Sequence, residues 1–165
     1  MTTLKELTIK GGIREGFREG TSKMADRSCF GYTKSSDDDL IINETEAKIV
    51  KWIFDRYLSG NSLGKIADAL AEQNILSPTG NQKWNRQAID KLLSNEKYIG
   101  CILLQKTVTK GGLQIRNRGQ ASQYLYKNNH PAIISQETFK AAQCEKLSRS
   151  KSPEKETTPE WILSL

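Results

Sequence analysis

The sequence predicts an α+β fold: a core of three helices with a small hairpin between the second and third, a basic β-hairpin segment, and a closing C-terminal helix. Three observations support this prediction. Apolar residues recur at helical spacing in three segments between residues 43 and 100. Residues 102–109 are rich in branched side chains, which are typical of strands. Helical spacing then returns after residue 135.

The first predicted helix starts at Asn43 and ends before Gly60. Asn43 is a suitable N-cap, and Glu46 is placed to reach back to the Asn43 amide in a capping box. The apolar face of this helix comprises Ala47, Val50, Ile53, Phe54, Tyr57 and Leu58. This spacing predicts one well-bounded helix with a broad buried face.

Two shorter helices are predicted to follow. Ser62 is a suitable N-cap for the second helix, and Asn74 can adopt the left-handed conformation that ends a helix. Asn85 is a suitable N-cap for the third helix. The inward-facing residues are predicted to be Leu63, Ile66, Ala67 and Leu70 in the second helix, and Ala88, Ile89, Leu92 and Leu93 in the third. The pattern is typical of a helix-turn-helix-like core.

The connection between these two helices is too long for a plain helix-turn-helix, which uses a turn of about three or four residues. Residues 77–80 read Ser-Pro-Thr-Gly and fit a type I turn with proline at its second position. We therefore predict a small hairpin that ends at Trp84, with the indole packed under it.

The outward face of the third helix carries residue types that contact nucleic acids. Arginine recognises guanine edges, glutamine recognises adenine edges, and lysine binds phosphates. The residues on this face are Arg86, Gln87, Asp90 and Lys91. A charged, solvated surface is an equally good explanation of this face when the helix is considered by itself.

Five motifs occur in order along the chain, and their order is more specific than any one motif. They are Phe30-Gly31-Tyr32, an EAxIVxxIFxxYxxG helix, an IAxxL helix, the proline turn with Trp84, and the NxxYIG run that ends at Gly100. In this order they resemble the recombinase domain of the large serine recombinases, over roughly residues 9–147. One departure is Cys29, because the family commonly has proline at that position.

The resemblance implies a noncatalytic DNA-binding domain with double-stranded DNA as its partner. In the family, a separate N-terminal domain supplies the serine that attacks a DNA phosphate, so no catalytic residue is expected in this chain. Residues 1–27 are expected to be the end of a linker helix from that domain plus a connector, and residues 28–147 the DNA-binding domain. Residues 148–165 are expected to be a flexible linker toward a zinc ribbon.

The same resemblance implies further contacts. The family's connector crosses DNA near the point of cleavage, so Lys23 and Arg27 are expected to touch the minor groove. Dimer and tetramer contacts in the family come mainly from the catalytic domain, so the parent protein is expected to be a dimer or tetramer.

The net charge of +6 is concentrated in residues 101–130, which hold five basic residues and no acidic residue. Gly111 and Gly112 supply a turn between two strand-like segments, so a basic hairpin is the simplest interpretation. The predicted phosphate contacts are Lys106, Lys110, Arg116, Arg118 and Lys127. A mobile basic loop that only aids solubility is the alternative.

The remaining features predict neither a cofactor nor a metal. Cys29, Cys101 and Cys144 are too widely spaced for a zinc ribbon or a disulfide framework, and indicate reduced, buried or half-buried thiols. His130, the single histidine, is interpreted as structural. No apolar run is long enough to span a membrane, and a cytoplasmic location is expected.

The function predicted from the sequence is therefore DNA binding at recombination attachment sites, with no enzymatic activity of this chain by itself. Two alternatives remain open at this point. The chain could be a stand-alone helix-turn-helix transcriptional regulator, or a protein-interaction module whose basic hairpin binds an acidic partner.

Overall fold

The chain folds into helices and short antiparallel strands, in agreement with the predicted α+β class. A computed structural model describes residues 29–37, 39–150 and 159–165. Its helices are α1 (Glu44–Leu58), α2 (Leu63–Glu72), α3 (Arg86–Leu93), α4 (Gln136–Arg149) and α5 (Glu160–Leu163), with a 3₁₀ turn at Glu96–Ile99. Its strands are β1 (Tyr32–Lys34), β2 (Leu40–Ile42), β3 (Ile102–Leu104), β4 (Thr107–Lys110), β5 (Leu113–Arg116) and β6 (Tyr124–Tyr126).

Helix α1 is the centre of the core and contacts α2, α3 and α4. Its predicted apolar face is buried except at one end, since Val50, Ile53 and Phe54 have no exposed surface whereas Leu58 is 37% exposed. The apolar faces of α2 and α3 pack on it, as the helical spacing predicts. This arrangement leaves the opposite face of α3 toward solvent.

The capping of α1 differs from the predicted capping box in one respect. The Asn43 side chain accepts from the Glu46 amide, at 3.3 Å, as expected. The Glu46 carboxylate, however, accepts from the Gly31 amide at 2.7 Å. The reason is that the Asn43 amide already donates to the Gly31 carbonyl, so Glu46 is available to tie the β1 segment to α1.

The loop between α2 and α3 contains the predicted turn but no paired strands. The Gly80 amide donates to the Ser77 carbonyl, and the Ser77 amide donates to the Asn81 carbonyl. These two bonds close a compact turn. Of the predicted small hairpin, this turn is present and the flanking paired strands are not. Trp84 is 2% exposed, and its indole nitrogen donates to the Ile75 carbonyl at 3.2 Å, which confirms that it packs beneath the loop.

The basic segment is more elaborate than one hairpin. Gln105 adopts a φ of +64° and divides the predicted first strand into β3 and β4. Strand β4 pairs with β5 across the Gly111-Gly112 turn, as predicted, whereas β3 pairs with β6. The β4–β5 hairpin is therefore an insertion between two strands that pair with each other, and Lys127 lies beyond it on the far side of β6.

Helix α4 closes the core as predicted. Ser135 accepts from the Thr138 amide at its N-terminus, and Phe139 and Ala142 are fully buried against α1. Of the predicted linker, residues 148–165, the structure describes only 148–150 and 159–165. In α5, Ile162 is 6% exposed, and the Trp161 ring centroid lies 6.0 Å from that of Phe139. Residues 159–165 thus pack on the domain, because their apolar side chains find a surface on α4.

Residues 1–28, 38 and 151–158 lie outside the description. The predicted linker helix and the predicted contacts of Lys23 and Arg27 fall among them. Within the described ranges, none of the helices has the length and apolar character needed to cross a membrane.

Candidate nucleic-acid interface

The outer face of α3 presents its polar residues to solvent at the start of the helix. Asn85 caps α3 by accepting from the Gln87 amide at 2.9 Å. Arg86 and Gln87 therefore occupy the first turn, where both are exposed, and Lys91 is exposed one turn later. The buried face consists of Ile89, Leu92 and Leu93, with Ala88 half-buried. The predicted division of α3 into two faces is present in the fold.

Asp90 differs from the other predicted contact residues of α3. Its carboxylate lies 3.0 Å from the Lys146 ammonium on α4, which also contacts the Ser94 hydroxyl. Lys146 further donates to the Asp90 carbonyl at 3.3 Å. Asp90 therefore joins α3 to α4, and its side chain is not free to face a ligand without breaking this pair.

Arg86 lies against the first turn of α2. Its guanidinium is in contact with Gly64, and the nearby acid Asp68 is paired with Lys83 at 2.7 Å. This pairing lowers the pKa of Asp68, chiefly through the hydrogen bond and charge of Lys83, with a smaller contribution from Arg86. Among the described residues, Asp68 is ion-paired with Lys83, and Arg86 acts on it electrostatically from a greater distance.

The β4–β5 hairpin places basic and polar side chains on a short two-stranded ribbon. Thr107 is paired with Arg116, and Lys110 with Leu113, so the two strands are fully in register up to the turn. The Gln114 side chain donates to the Thr107 hydroxyl at 2.9 Å. Lys110 and Arg116, two of the predicted phosphate contacts, are exposed.

Lys106 has a structural partner. Its ammonium lies 2.7 Å from one carboxylate oxygen of Glu96 and 2.8 Å from the other. Glu96 is buried in the 3₁₀ turn and also accepts from the Leu103 amide at 3.0 Å. Lys106 therefore neutralises a buried acid at the base of the hairpin, which competes with the predicted contact to phosphate.

The two remaining described candidates lie outside the hairpin. Arg118 follows β5 and is exposed, whereas Lys127 follows β6 and donates to the Ser164 carbonyl at 2.6 Å. Lys127 is thus engaged by the segment that carries α5.

One groove connects α3 with the hairpin. Its walls include Arg86, Asp90 and Lys91 from α3, and Lys106, Gln114 and Arg116 from the basic segment. Gln87, Lys110, Arg118 and Lys127 do not line this groove. The fold therefore brings part of the predicted helical set and part of the predicted basic set to a common surface.

Sequence patterns did not identify two residues that position this surface. Glu96 gave no signal, because an acid next to Lys97 is expected to be exposed. Asn117 is 5% exposed, and its side chain donates to the Gln105 and Ala121 carbonyls while accepting from the Gly119 and Ala121 amides. An asparagine just before Arg-Gly is a recognisable turn signal, which could have indicated this role.

The cysteines and the histidine occupy structural positions. Cys29 is half-buried and Cys101 buried, and burial raises the pKa of both thiols, whereas Cys144 is exposed, unlike the prediction. His130 Nε2 lies 2.6 Å from the Lys97 carbonyl oxygen, and the ring packs edge-on against Tyr32. The described residues contain no convergent group of three or more metal-binding side chains.

A model of the family described as Recombinase matches residues 44–149, which is most of the chain. The chain belongs to the Recombinase family. The match covers α1 to α4 and the whole of the groove-lining part of α3 and the hairpin. The resemblance to large serine recombinases that the ordered motifs indicated is thereby confirmed.

Two solved structures share the fold. One is described as a crystal structure of an LSR-DNA complex, with a TM-score of 0.51, 24% identity, and coverage of 76% of this chain and 34% of the other. The second concerns the sequence requirements of the Listeria innocua prophage attP site, with a TM-score of 0.52, 24% identity, and coverage of 86% and 50%. This Recombinase-family chain spans half or less of the length of these two relatives.

Proposed function

We propose that this chain binds double-stranded DNA at recombination attachment sites, as the noncatalytic DNA-binding domain of a serine site-specific recombinase. Family membership supports the recombination setting. The two similar structures, one of a protein bound to DNA and one concerning an attP site, support attachment-site DNA as the ligand. Strand cleavage, dimers and tetramers would then belong to the parent protein.

The observation that carries this proposal is the shared groove between α3 and the hairpin. A helix in the major groove, which is about 12 Å wide, presents its N-terminal residues to base edges. Arg86 and Gln87 are exposed in that first turn. The hairpin lines the same groove through Arg116, and it carries Lys110 exposed outside the groove.

The proposed contacts divide into two classes. Arg86 and Gln87 contact base edges, because their side chains can form paired hydrogen bonds with guanine and adenine. Lys91, Lys110, Arg116 and Arg118 contact phosphates, which sets affinity rather than sequence preference. Asp90 and Lys106 are assigned to positioning, because the first joins α3 to α4 and the second neutralises the buried Glu96. Lys23, Arg27 and Lys127 remain predicted contacts.

The test is binding of the whole chain to its own attachment half-site and to a scrambled duplex, over a series of salt concentrations. Gln87→Ala is expected to lower affinity for the specific site by about 1–3 kcal/mol and to leave scrambled DNA unaffected. Lys110→Ala is the matched phosphate variant, and is expected to weaken both duplexes alike and to reduce the salt slope by about 1. Equal wild-type affinity for the two duplexes would overturn the proposal.

We also propose that this chain by itself does not cleave DNA. The check is incubation with a nicked attachment-site duplex that traps covalent intermediates, followed by a denaturing gel. Only unmodified protein is expected. A covalent protein–DNA adduct would contradict this part of the proposal, and absence of binding to any DNA would instead favour a protein-interaction module.

A further inference from the structure

A Cβ at position 64 would be in close contact with the Arg86 side chain. A Cβ built at residue 64 would lie 3.1 Å from Nη2, 3.2 Å from Nε and 3.3 Å from Cζ of Arg86. These three atoms belong to one guanidinium, so that group lies close against the backbone of α2. Non-bonded heavy atoms ordinarily lie about 3.5–4.0 Å apart, so an added methyl group would shift the guanidinium by a few tenths of an ångström.

The backbone does not require glycine at this position. Gly64 lies within α2, one residue after its start, and is absent from the residues with positive φ. Glycine inside a helix costs about 0.5–1 kcal/mol relative to alanine. Alanine is therefore compatible with the backbone at residue 64, and the guanidinium of Arg86 is the nearest group that its methyl would meet.

The surroundings leave the polar edge of Arg86 available. Asp68 lies one turn further along α2 and is held by Lys83 at 2.7 Å. The guanidinium of Arg86 lies close to Gly64, and Asp68 acts on it electrostatically without a direct ion pair within the described residues. Arg86 is exposed, so the donors that do not face Gly64 can reach a ligand.

We propose that Gly64 is a specificity-determining positioning residue, which sets the base edge that Arg86 contacts without itself touching DNA. The inference rests on the proposed function. Paired hydrogen bonds from a guanidinium to a base are sensitive to the position of its donors, so a small displacement impairs them. Residue 64 thus influences which base Arg86 recognises through its contact with the Arg86 guanidinium.

The principal test is Gly64→Ala in the whole chain, compared with the wild type for folding and for binding. The thermal midpoint is expected to stay the same or rise, because the helix gains a better helix-forming residue. Affinity for the attachment half-site is expected to fall roughly tenfold, as when one paired base contact is impaired, while affinity for scrambled DNA is unchanged. A panel of half-sites with single base-pair changes identifies the affected position.

The matched control is a double-variant cycle with Arg86→Ala. Gly64→Ala is expected to have no further effect on binding in the Arg86→Ala background, and both variants should relax preference at the same base pair. An unchanged half-site affinity for Gly64→Ala in a protein whose Arg86→Ala variant has lost preference would overturn this inference alone. Wild-type protein that binds both duplexes equally would overturn the proposed function and this inference together.

Discussion

The Lys106 ammonium and the Glu96 carboxylate form an ion pair, 2.7 Å apart, whose two members differ sharply in exposure. The Glu96 side chain is 2% exposed, whereas that of Lys106 is 49% exposed. The acid belongs to the 3₁₀ turn and the base to the residue just before β4. Removing Lys106 would therefore leave a buried carboxylate, whereas removing Glu96 would leave an ammonium that is partly exposed to water.

Lys106→Met is expected to destabilise the fold more than Glu96→Gln. Loss of the lysine leaves a buried carboxylate with the Leu103 amide as its remaining described donor, which costs about 3–5 kcal/mol. Loss of the acid leaves an ammonium that can reach water, with an expected cost of about 1–3 kcal/mol. Urea unfolding of both variants at neutral pH measures the order. The double variant should be more stable than Lys106→Met, and the reverse order for the single variants would contradict the assigned burial.

Gly31→Ala is expected to be strongly destabilising. Gly31 has a φ of +102°, and an added Cβ would lie 2.9 Å from Cδ1 of Ile133. Backbone strain contributes about 1–3 kcal/mol, and overpacking adds a similar amount. Gly60→Ala is the matched control, because its φ of +98° imposes comparable strain with no atom within 4 Å of the added methyl. Equal losses of unfolding free energy would show that the clash with Ile133 has no effect.

Arg149 links the end of α4 to the end of α1. Its guanidinium lies 4.2 Å from the Tyr57 ring centroid and donates to the carbonyls of Tyr57 and Asn61 at 2.9 and 2.8 Å. Arg149→Ala is expected to cost about 1–3 kcal/mol, because those carbonyls lose a charged donor. Arg56→Ala removes another cation over a ring, 5.4 Å above Trp52, and should cost less than about 1 kcal/mol. Thermal unfolding of the two variants compares them directly.

His130 makes stability depend on pH just below neutrality. Burial lowers the pKa of His130 below its ordinary value of 6.5, and this effect outweighs the hydrogen bond to the Lys97 carbonyl, which raises the pKa. The unfolded chain then binds a proton that the folded chain resists, so the histidine contribution is present above pH 6.5 and is lost as pH falls through the lower folded pKa. Unfolding free energy should rise between about pH 5 and 7.5.

The control for this pH dependence is His130→Gln, because it retains a side-chain donor for the Lys97 carbonyl but does not titrate. The slope in that interval should be reduced in the variant, since the chain has a single histidine. An identical slope in both proteins would show that His130 is not its source.

The helices could be predicted from sequence because their signals are local. The caps Asn43, Ser62 and Asn85 all accept the backbone bonds expected of them, and the apolar spacing places the buried faces correctly. The shortfalls arise where partners are distant in sequence. The Glu46 carboxylate accepts from the Gly31 amide because the Asn43 amide already donates to the Gly31 carbonyl. This contact depends on how β1 packs against α1, which the sequence does not show.

The residues of the candidate interface could be predicted from sequence, but the ion pairs that some of them form could not. Residue type and spacing identified Arg86 and Gln87 on the outer face of α3. The same pattern could not distinguish Asp90, whose partner Lys146 lies on another helix, or the buried state of Glu96. The break at Gln105 was also missed, because a non-glycine residue with positive φ has only a weak sequence signature.

Because a two-residue turn at Gly111 and Gly112 joins β4 to β5, the hairpin can be lengthened in defined steps by adding residues to both strands. Strands rise about 3.4 Å per residue and alternate their faces at every residue. Two residues added to each strand would carry the tip about 7 Å further while keeping Lys110 on its present face. One residue added to each strand would turn the tip residues to the opposite face. The length of the hairpin and the face on which its tip residues lie can therefore be changed separately. Under the proposed function, such variants would suit DNA half-sites of different span.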